Sequence, residues 1–131
     1  IGKVETDIAP LVTCPNVHFL GPRPHHELAS YAQHWDVSLL PFRRNRQIDA
    51  SNPLKMREYL AAGRPVLASY RFPATAPYRD AITVVEHGET LAQAILRTAK
   101  DKRKTGFRQE LVRHESWDDR AATLKSWLEQ L

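Results

Sequence analysis

The segment Asn52-Pro-Leu-Lys-Met-Arg-Glu-Tyr-Leu-Ala-Ala-Gly-Arg-Pro-Val-Leu-Ala-Ser69 joins a helix start, two ionisable side chains and an apolar strand. Pro53 suits the first position of a helix, and the side chain of Asn52 can cap it. Gly63 suits the position that ends the helix, and Pro65 then begins a short apolar run. The segment therefore predicts a helix with defined ends that leads directly into a buried strand.

Two charged residues of this helix, Lys55 and Glu58, point to an anion site at its N-terminus. A cation in the first turn opposes the helix macrodipole, so Lys55 is easier to explain if a negatively charged ligand lies there. The i, i+3 spacing puts both side chains on one face, where one could meet a phosphate and the other a sugar hydroxyl. A nucleotide-sugar would satisfy both. The alternative is a weak, solvated ion pair, which this spacing commonly gives.

The charge of the chain is concentrated just before this helix and at its start. The net charge is +4, and the segment 42–57 carries all of it, with five cations against Asp49: Arg43, Arg44, Arg46, Lys55 and Arg57. A basic loop that runs into a helix N-terminus suits a diphosphate, whereas duplex binding spreads Lys and Arg along a stripe. The alternative is an ordinary solvated loop.

Four segments occur in the order typical of one known domain. They are Asn16–Pro22, Glu27–Tyr31, Asp36–Phe42 and Asn52–Ser69. This order resembles the C-terminal, donor-binding domain of GT-B glycosyltransferases, and the match is similar to the retaining, family-4-like members of glycosyltransferase group 1. The resemblance covers roughly residues 1–99, and the tail segment 116–121 is more weakly similar to the family's closing helix.

The resemblance implies an α/β fold, with a Rossmann-like, mainly parallel sheet flanked by helices. Residues 1–131 are expected to form one partial domain, the C-terminal half of a GT-B fold truncated at its N-terminus. The strand and helix that open such a domain, and the N-terminal acceptor domain, are expected to be missing. The fragment alone is therefore expected to be inactive.

Alternating apolar runs and helical patterns predict βα units along the chain. The expected strands are 17–20, 37–40, 66–68 and 82–85, and the expected helices are 24–33, 53–62, 90–102, 107–114 and one that starts at Ser116. Segments 42–51 and 70–80 are expected to be irregular. The last helix carries an apolar stripe, which a missing partner domain would leave exposed: Leu124, Trp127, Leu128 and Leu131.

The resemblance also assigns the loops of a donor site. The loops at Gly2 and at 42–52 are expected near the diphosphate and sugar, and the loop at Gly21 near the base. Arg23 could stack its guanidinium on that base, or be an ordinary surface arginine. Glu58 resembles the second glutamate of the family's Glu-x7-Glu motif, which accepts hydrogen bonds from the donor ribose.

One departure from that motif is Ala50, which stands where its first glutamate belongs. Either neighbouring polar side chains contact the transferred sugar instead, or backbone groups hold the donor. Lys55 is the expected catalytic residue, because a cation there would stabilise the departing diphosphate. The complete set of expected donor-binding residues is Gly2, Gly21, Arg23, Asp49, Ser51, Asn52, Leu54, Lys55 and Glu58.

The sequence lacks the signals of several other kinds of site. Its six histidines lack the spacing of a zinc site, and there is no Gly-x-Ser-x-Gly elbow, Walker loop or Gly-x-Gly-x-x-Gly turn. We therefore expect no metal and no cofactor beside the donor substrate.

Cys14 is the only cysteine, and no apolar run reaches the roughly 18 residues of a membrane span, so a cytoplasmic location is the default. Attachment to the inner face of the membrane stays open.

The function predicted from these observations is binding of the donor substrate in a sugar-transfer reaction. A nucleotide-diphosphosugar would be bound here and its sugar passed, with retention, to a glycan or a lipid-linked acceptor; oligomeric state is not predicted. One alternative is a sugar-nucleotide epimerase of the same architecture. The other is a non-enzymatic basic α/β module that binds nucleic acid or protein, which leaves Lys55 and Glu58 unexplained. We expect no nucleic-acid partner.

Overall fold

Three short parallel strands form the centre of the computed structural model, which describes residues 1–103 and 105–130. Strands β1 (Ser38–Leu40), β2 (Val66–Ala68) and β3 (Ile82–Val84) lie side by side in that order. Val66 of β2 is paired with Ser38 on one side and with Ile82 on the other. Every residue of β2 is buried, as a central strand covered on both faces requires.

Helices connect and flank these strands. They are α1 (Ala9–Val12), α2 (Leu28–Ala32), α3 (Arg46–Asp49), α4 (Leu54–Ala61), α5 (Leu91–Ala99), α6 (Thr105–Glu110) and α7 (Trp117–Leu128), with 3-10 turns at His25–Glu27 and Pro73–Tyr78. The parallel sheet flanked by helices confirms the predicted Rossmann-like α/β class. The strands expected around 37–40, 66–68 and 82–85 are present, with ends that differ by no more than one residue.

The hydrophobic core lies against one face of the sheet. Helix α4 contributes Met56 and Leu60, which are spaced i, i+4 and are fully buried. They pack with side chains of the strands and of the segment after β2, namely Leu40, Val66, Ala68, Phe72, Tyr78, Ala81 and Ile82. Leu67 is also buried but lies outside this cluster, because alternate side chains of a strand point to opposite faces.

The prediction of a strand at 17–20 is wrong. These residues are irregular, and Phe19 and Leu20 remain 44% and 43% exposed. Within the described part of the chain no strand pairs with them, and an apolar run without a partner has no backbone ladder to join. The helix predicted at 24–33 is present as a 3-10 turn that continues into α2.

The segment before α4 also differs from the prediction. Segment 42–51 is not wholly irregular, because Asn45 Oδ1 accepts a hydrogen bond from the Ile48 N–H at 2.9 Å and so caps the short helix α3. Helix α4 begins one residue later than expected, with Pro53 just outside it and no side-chain cap. Asn52 does not cap α4, since its Oδ1 accepts a hydrogen bond from Arg57 Nη1 at 2.6 Å.

The later helices are shorter than the patterns suggested. Helix α5 ends at Ala99, and the helix expected at 107–114 runs from Thr105 to Glu110 instead. Ser116 caps α7 through the predicted capping box with Asp119. The apolar stripe of α7 is exposed at Leu124, Trp127 and Leu128, whereas Leu131 lies outside the described residues.

The C-terminal end of α4 is held by α6. Gly63 ends the helix with φ +75°, as predicted, and its backbone packs against Thr105. Arg108, which is only 1% exposed, donates from Nη1 to the Gly63 carbonyl at 3.3 Å. The same guanidinium pairs with the carboxylate of Asp101. Helix α4 is therefore tied to the segment that follows α5.

We expect Gly63→Ala to lower the free energy of unfolding by about 2–4 kcal/mol, because an L side chain at positive φ costs about 1–2 kcal/mol and the new Cβ would collide with Thr105. Gly88→Ala is the matched control: Gly88 has φ +78°, and no atom lies within 4 Å of its added Cβ. Its expected loss is only about 1 kcal/mol. Urea unfolding followed by circular dichroism measures both, and equal losses would contradict the role of the α4–α6 contact.

The stability of the fold depends on the ionisation of Asp101 and therefore on pH. Burial alone would raise its pKa, but hydrogen bonds from Arg103 and the charge of Arg108 lower the pKa from 3.8 to about 2. Its contribution to stability is therefore complete above about pH 4 and is lost as the pH falls toward 2. We expect Asp101→Asn to cost about 3 kcal/mol at pH 7, because Arg108 is left buried without its charge partner.

The same variant should remove part of the decline in stability between pH 4 and pH 2, which unfolding midpoints at several pH values would show. Asp80→Asn, at an exposed position, is the control and should change neither quantity. An Asp101→Asn variant with the wild-type acid profile would contradict the assignment.

Candidate functional site

A cavity of about 560 Å³ is lined by α2, α4 and the N-terminal segment; we call it the α2–α4 cavity. Its apolar wall comes from Leu28, Ala29, Ala32, Trp35, Tyr59, Ala61 and Ala62. Its charged lining comes from Arg23, Lys55 and Glu58, and the imidazole of His25 lies beside them. The remaining lining residues are Ile1, Gly2, Pro22, Gln33 and Gln109. A largely apolar cavity with a few charged groups is the usual form of a small-molecule site.

Helix α4 separates this cavity from the core because its two faces carry different side chains. Met56 and Leu60 point into the core, whereas Lys55 and Glu58 line the cavity together with Tyr59, which also packs against the core. The spacing i, i+3 and i+4 places the latter three on one face of the helix. The burial of one face therefore determines which side chains the other face presents.

The carboxylate of Glu58 is partly exposed and is held by a histidine. His25 Nε2 lies 3.0 Å from Glu58 Oε1, although the two residues are 33 positions apart. No ion pair between Lys55 and Glu58 occurs among residues 1–103 and 105–130, so the solvated pair considered from the sequence is not formed there. Burial raises the pKa of the neighbouring Tyr59, and the negative charge of Glu58 raises it further.

The two glycine loops lie beside each other at the edge of the cavity. The Gly2 N–H donates a hydrogen bond of 3.0 Å to the Gly21 carbonyl, and both glycines have positive φ. Gly2 lines the cavity, whereas Gly21 only adjoins it through this bond. Arg23 also lines the cavity, with its guanidinium carbon 5.9 Å from the centre of the Tyr31 ring.

Gly21 and four further expected donor-binding residues are not lining residues of this cavity. Asp49 accepts a hydrogen bond of 3.1 Å from the Tyr70 hydroxyl, and Ser51 Oγ donates to the Ile48 carbonyl at 2.8 Å. Asn52 is occupied by an arginine side chain, as described above. Leu54 lies at the start of α4 and is 55% exposed. The structure thus brings Gly2, Arg23, Lys55 and Glu58 together and leaves the substitutes for Ala50 apart: Asp49, Ser51 and Asn52.

The family of this chain follows from its sequence similarity to known proteins. The sequence matches the family described as "Glycosyl transferases group 1" over residues 2–101, which is most of the chain. The chain belongs to glycosyltransferase group 1. It is 28% identical over 115 residues to a Bacillus subtilis (strain 168) protein named "Putative teichuronic acid biosynthesis glycosyltransferase TuaH". The match covers 82% of this chain but only 29% of that protein. No solved structure matches significantly.

The cavity of this member of glycosyltransferase group 1 has lining residues that the sequence did not reveal. From the sequence His25 is only one of six histidines without metal-site spacing, and Trp35 and Gln109 are far from the Asn52–Ser69 segment. No local spacing could indicate them, because their place at the cavity depends on the packing of α2 and α6 beside α4. Tyr59 alone has a local signal, because it follows Glu58 directly and lies four residues after Lys55 on the predicted helix.

Two other kinds of feature are absent from the part of the chain that the structure describes. Residues 1–103 and 105–130 contain no group of three His, Cys, Asp or Glu side chains placed to hold a metal ion. Within the same residues, none of the helices has the length and apolar character that crossing a membrane requires.

A second cluster joins α4 to the start of α7. The Glu115 carboxylate accepts hydrogen bonds from Arg57, from the Tyr78 hydroxyl and, at 2.9 Å, from Arg120 Nη2. The side chains of Arg57 and Glu115 are only 16% and 24% exposed. Arg57 therefore does not add free positive charge to the basic segment, which changes the sequence-based description of that patch. Arg43, Arg44 and Arg46 remain exposed, with Arg44 stacked near Tyr70.

We expect Glu115→Ala to lower the free energy of unfolding by about 2–3 kcal/mol, because it leaves Arg57 and the Tyr78 hydroxyl without their acceptor. Glu110→Ala is the matched control. Glu110 pairs with Arg113 on the surface of the protein at 3.2 Å, and its removal should cost less than about 0.5 kcal/mol. Urea unfolding measures both variants, and similar small losses would show that the Glu115 cluster does not stabilise the fold.

Proposed function

We propose that this chain binds the nucleotide-diphosphosugar donor of a sugar transfer. Membership of glycosyltransferase group 1 supports general glycosyl transfer, and the α2–α4 cavity supports a bound small molecule with both apolar and charged parts. The observation that carries the proposal is the shared position of Lys55 and Glu58 on the cavity face of α4. The ammonium of Lys55 suits a phosphate, and the carboxylate of Glu58 suits the two adjacent hydroxyls of a sugar.

Glu58 is the proposed ribose ligand. A carboxylate has two oxygens that accept hydrogen bonds, which matches the two adjacent hydroxyls of a ribose. Its side chain is 35% exposed at the cavity, so a ligand can reach it without opening the core. Apolar and aromatic side chains continue the cavity beyond it, and they suit a nucleobase better than a second charged group.

Lys55 is the proposed catalytic residue. It is exposed in the first turn of α4, and that turn carries no acidic side chain. A diphosphate bound there would face both an ammonium and the positive end of the helix dipole. As the bond to the sugar breaks, negative charge grows on the departing diphosphate, and a cation already in place stabilises that charge.

The other parts of the proposal concern regions beyond the cavity. The chain spans less than a third of its Bacillus subtilis relative, so the acceptor site is proposed to lie on a separate N-terminal domain of a GT-B enzyme. The name of that relative refers to teichuronic acid biosynthesis, which supports synthesis of a polysaccharide. We propose transfer with retention, to a glycan or lipid-linked acceptor, on the cytoplasmic side of the membrane.

We expect Glu58→Ala to weaken nucleotide binding by about tenfold or more, because the ribose loses both of its acceptors. Lys55→Ala should weaken UDP or GDP binding while leaving the affinity of the corresponding nucleoside nearly unchanged. Calorimetric titration with UDP, GDP and their sugars measures these effects.

The control is Glu110→Ala, whose carboxylate pairs on the surface with Arg113 and does not line the cavity. Its nucleotide affinity should equal that of the wild type. Unchanged affinity in Glu58→Ala would refute the ribose role, and equal losses of nucleoside and nucleoside diphosphate in Lys55→Ala would refute the phosphate role.

A further inference from the structure

His25 is the one hydrogen-bonding partner of the Glu58 carboxylate among residues 1–103 and 105–130. It begins the 3-10 turn that leads into α2, so it reaches α4 from the opposite side of the cavity. The bond involves Oε1 alone, at 3.0 Å. The imidazole is exposed and also lines the cavity.

This bond affects the charged group that the proposed function uses. A glutamate side chain on a helix surface has several rotamers, and the nearest cation on its own helix face is Lys55, three residues earlier. An ion pair with Lys55 would turn the carboxylate toward the ammonium and would occupy both groups. The hydrogen bond with His25 holds the carboxylate across the cavity instead, and Lys55 stays exposed.

We propose that His25 is a positioning residue for donor binding. It holds Glu58 Oε1 so that the carboxylate faces the ribose diol, and it keeps Glu58 apart from Lys55 so that the ammonium is available to the diphosphate. This inference rests on the proposed function, because it assigns His25 a role through Glu58. It adds a residue from the α2 side of the cavity to a site otherwise carried by α4.

The test is calorimetric titration of single and double variants with UDP and GDP and with their 2′-deoxy counterparts. We expect His25→Leu to weaken binding of the ribonucleotide by about 3- to 10-fold, the effect of one hydrogen bond. The preference for ribose over 2′-deoxyribose should fall with it. His25→Gln, whose amide N–H can still donate to Glu58, should recover most of the affinity. His26→Leu is the control, since His26 is adjacent and exposed but does not line the cavity.

The double variant His25→Leu/Glu58→Ala separates positioning from direct contact. If His25 acts through Glu58, removing the imidazole should have no further effect once the carboxylate is gone. A further loss of affinity in the double variant would mean that His25 touches the nucleotide itself, and would overturn the inference.

The two proposals fail in different ways. Wild-type affinity in His25→Leu, together with a loss in Glu58→Ala, would refute the positioning role and leave the proposed function intact. Wild-type affinity in Glu58→Ala would refute the proposed function and this inference with it. Because His25 is exposed, its replacement should leave the thermal midpoint unchanged, which shows that the variant is folded.

Discussion

The packing of α4 on the sheet is the constraint from which the rest of the structure follows. Met56 and Leu60 are buried against β2 and its neighbours, and this contact leaves the opposite face of the helix toward the α2–α4 cavity. The turn at Gly63 places the end of α4 close to the start of β2, so the helix cannot rotate without moving the central strand. A helix with one buried face has only one way to present its charged side chains.

The charged side chains of α4 have different surroundings. Arg57 is neutralised by Glu115 at the start of α7, and Glu58 is held by His25 before α2. Lys55 is left exposed between them. Three neighbouring charges on one short helix therefore lie in different environments, one in a partly buried cluster and two at the cavity. Removing one partner of a partly buried ion pair destabilises the fold, whereas an exposed cation is available to a ligand.

The central part of the fold could be predicted from local patterns. The helix before Gly63, the strand after Pro65 and the capping box at Ser116 all depend on residues that are close in sequence. The strand expected at 17–20 could not be judged in this way, since a strand forms only when a neighbour completes its ladder. The capping role predicted for Asn52 is wrong, because Asn52 Oδ1 accepts a hydrogen bond from Arg57 instead.

For the site, the sequence determined which residues of α4 are charged, their common face and their place beside a helix N-terminus. It also carried the family membership, since the matched motifs are continuous in the chain. Only the tertiary structure decided which partner each charge receives. His25 and Glu115 reach α4 from distant positions, and such contacts depend on how α2 and α7 pack rather than on any spacing along the chain. Local structure follows from short-range sterics and periodicity, whereas the partners of a side chain follow from burial of the whole core.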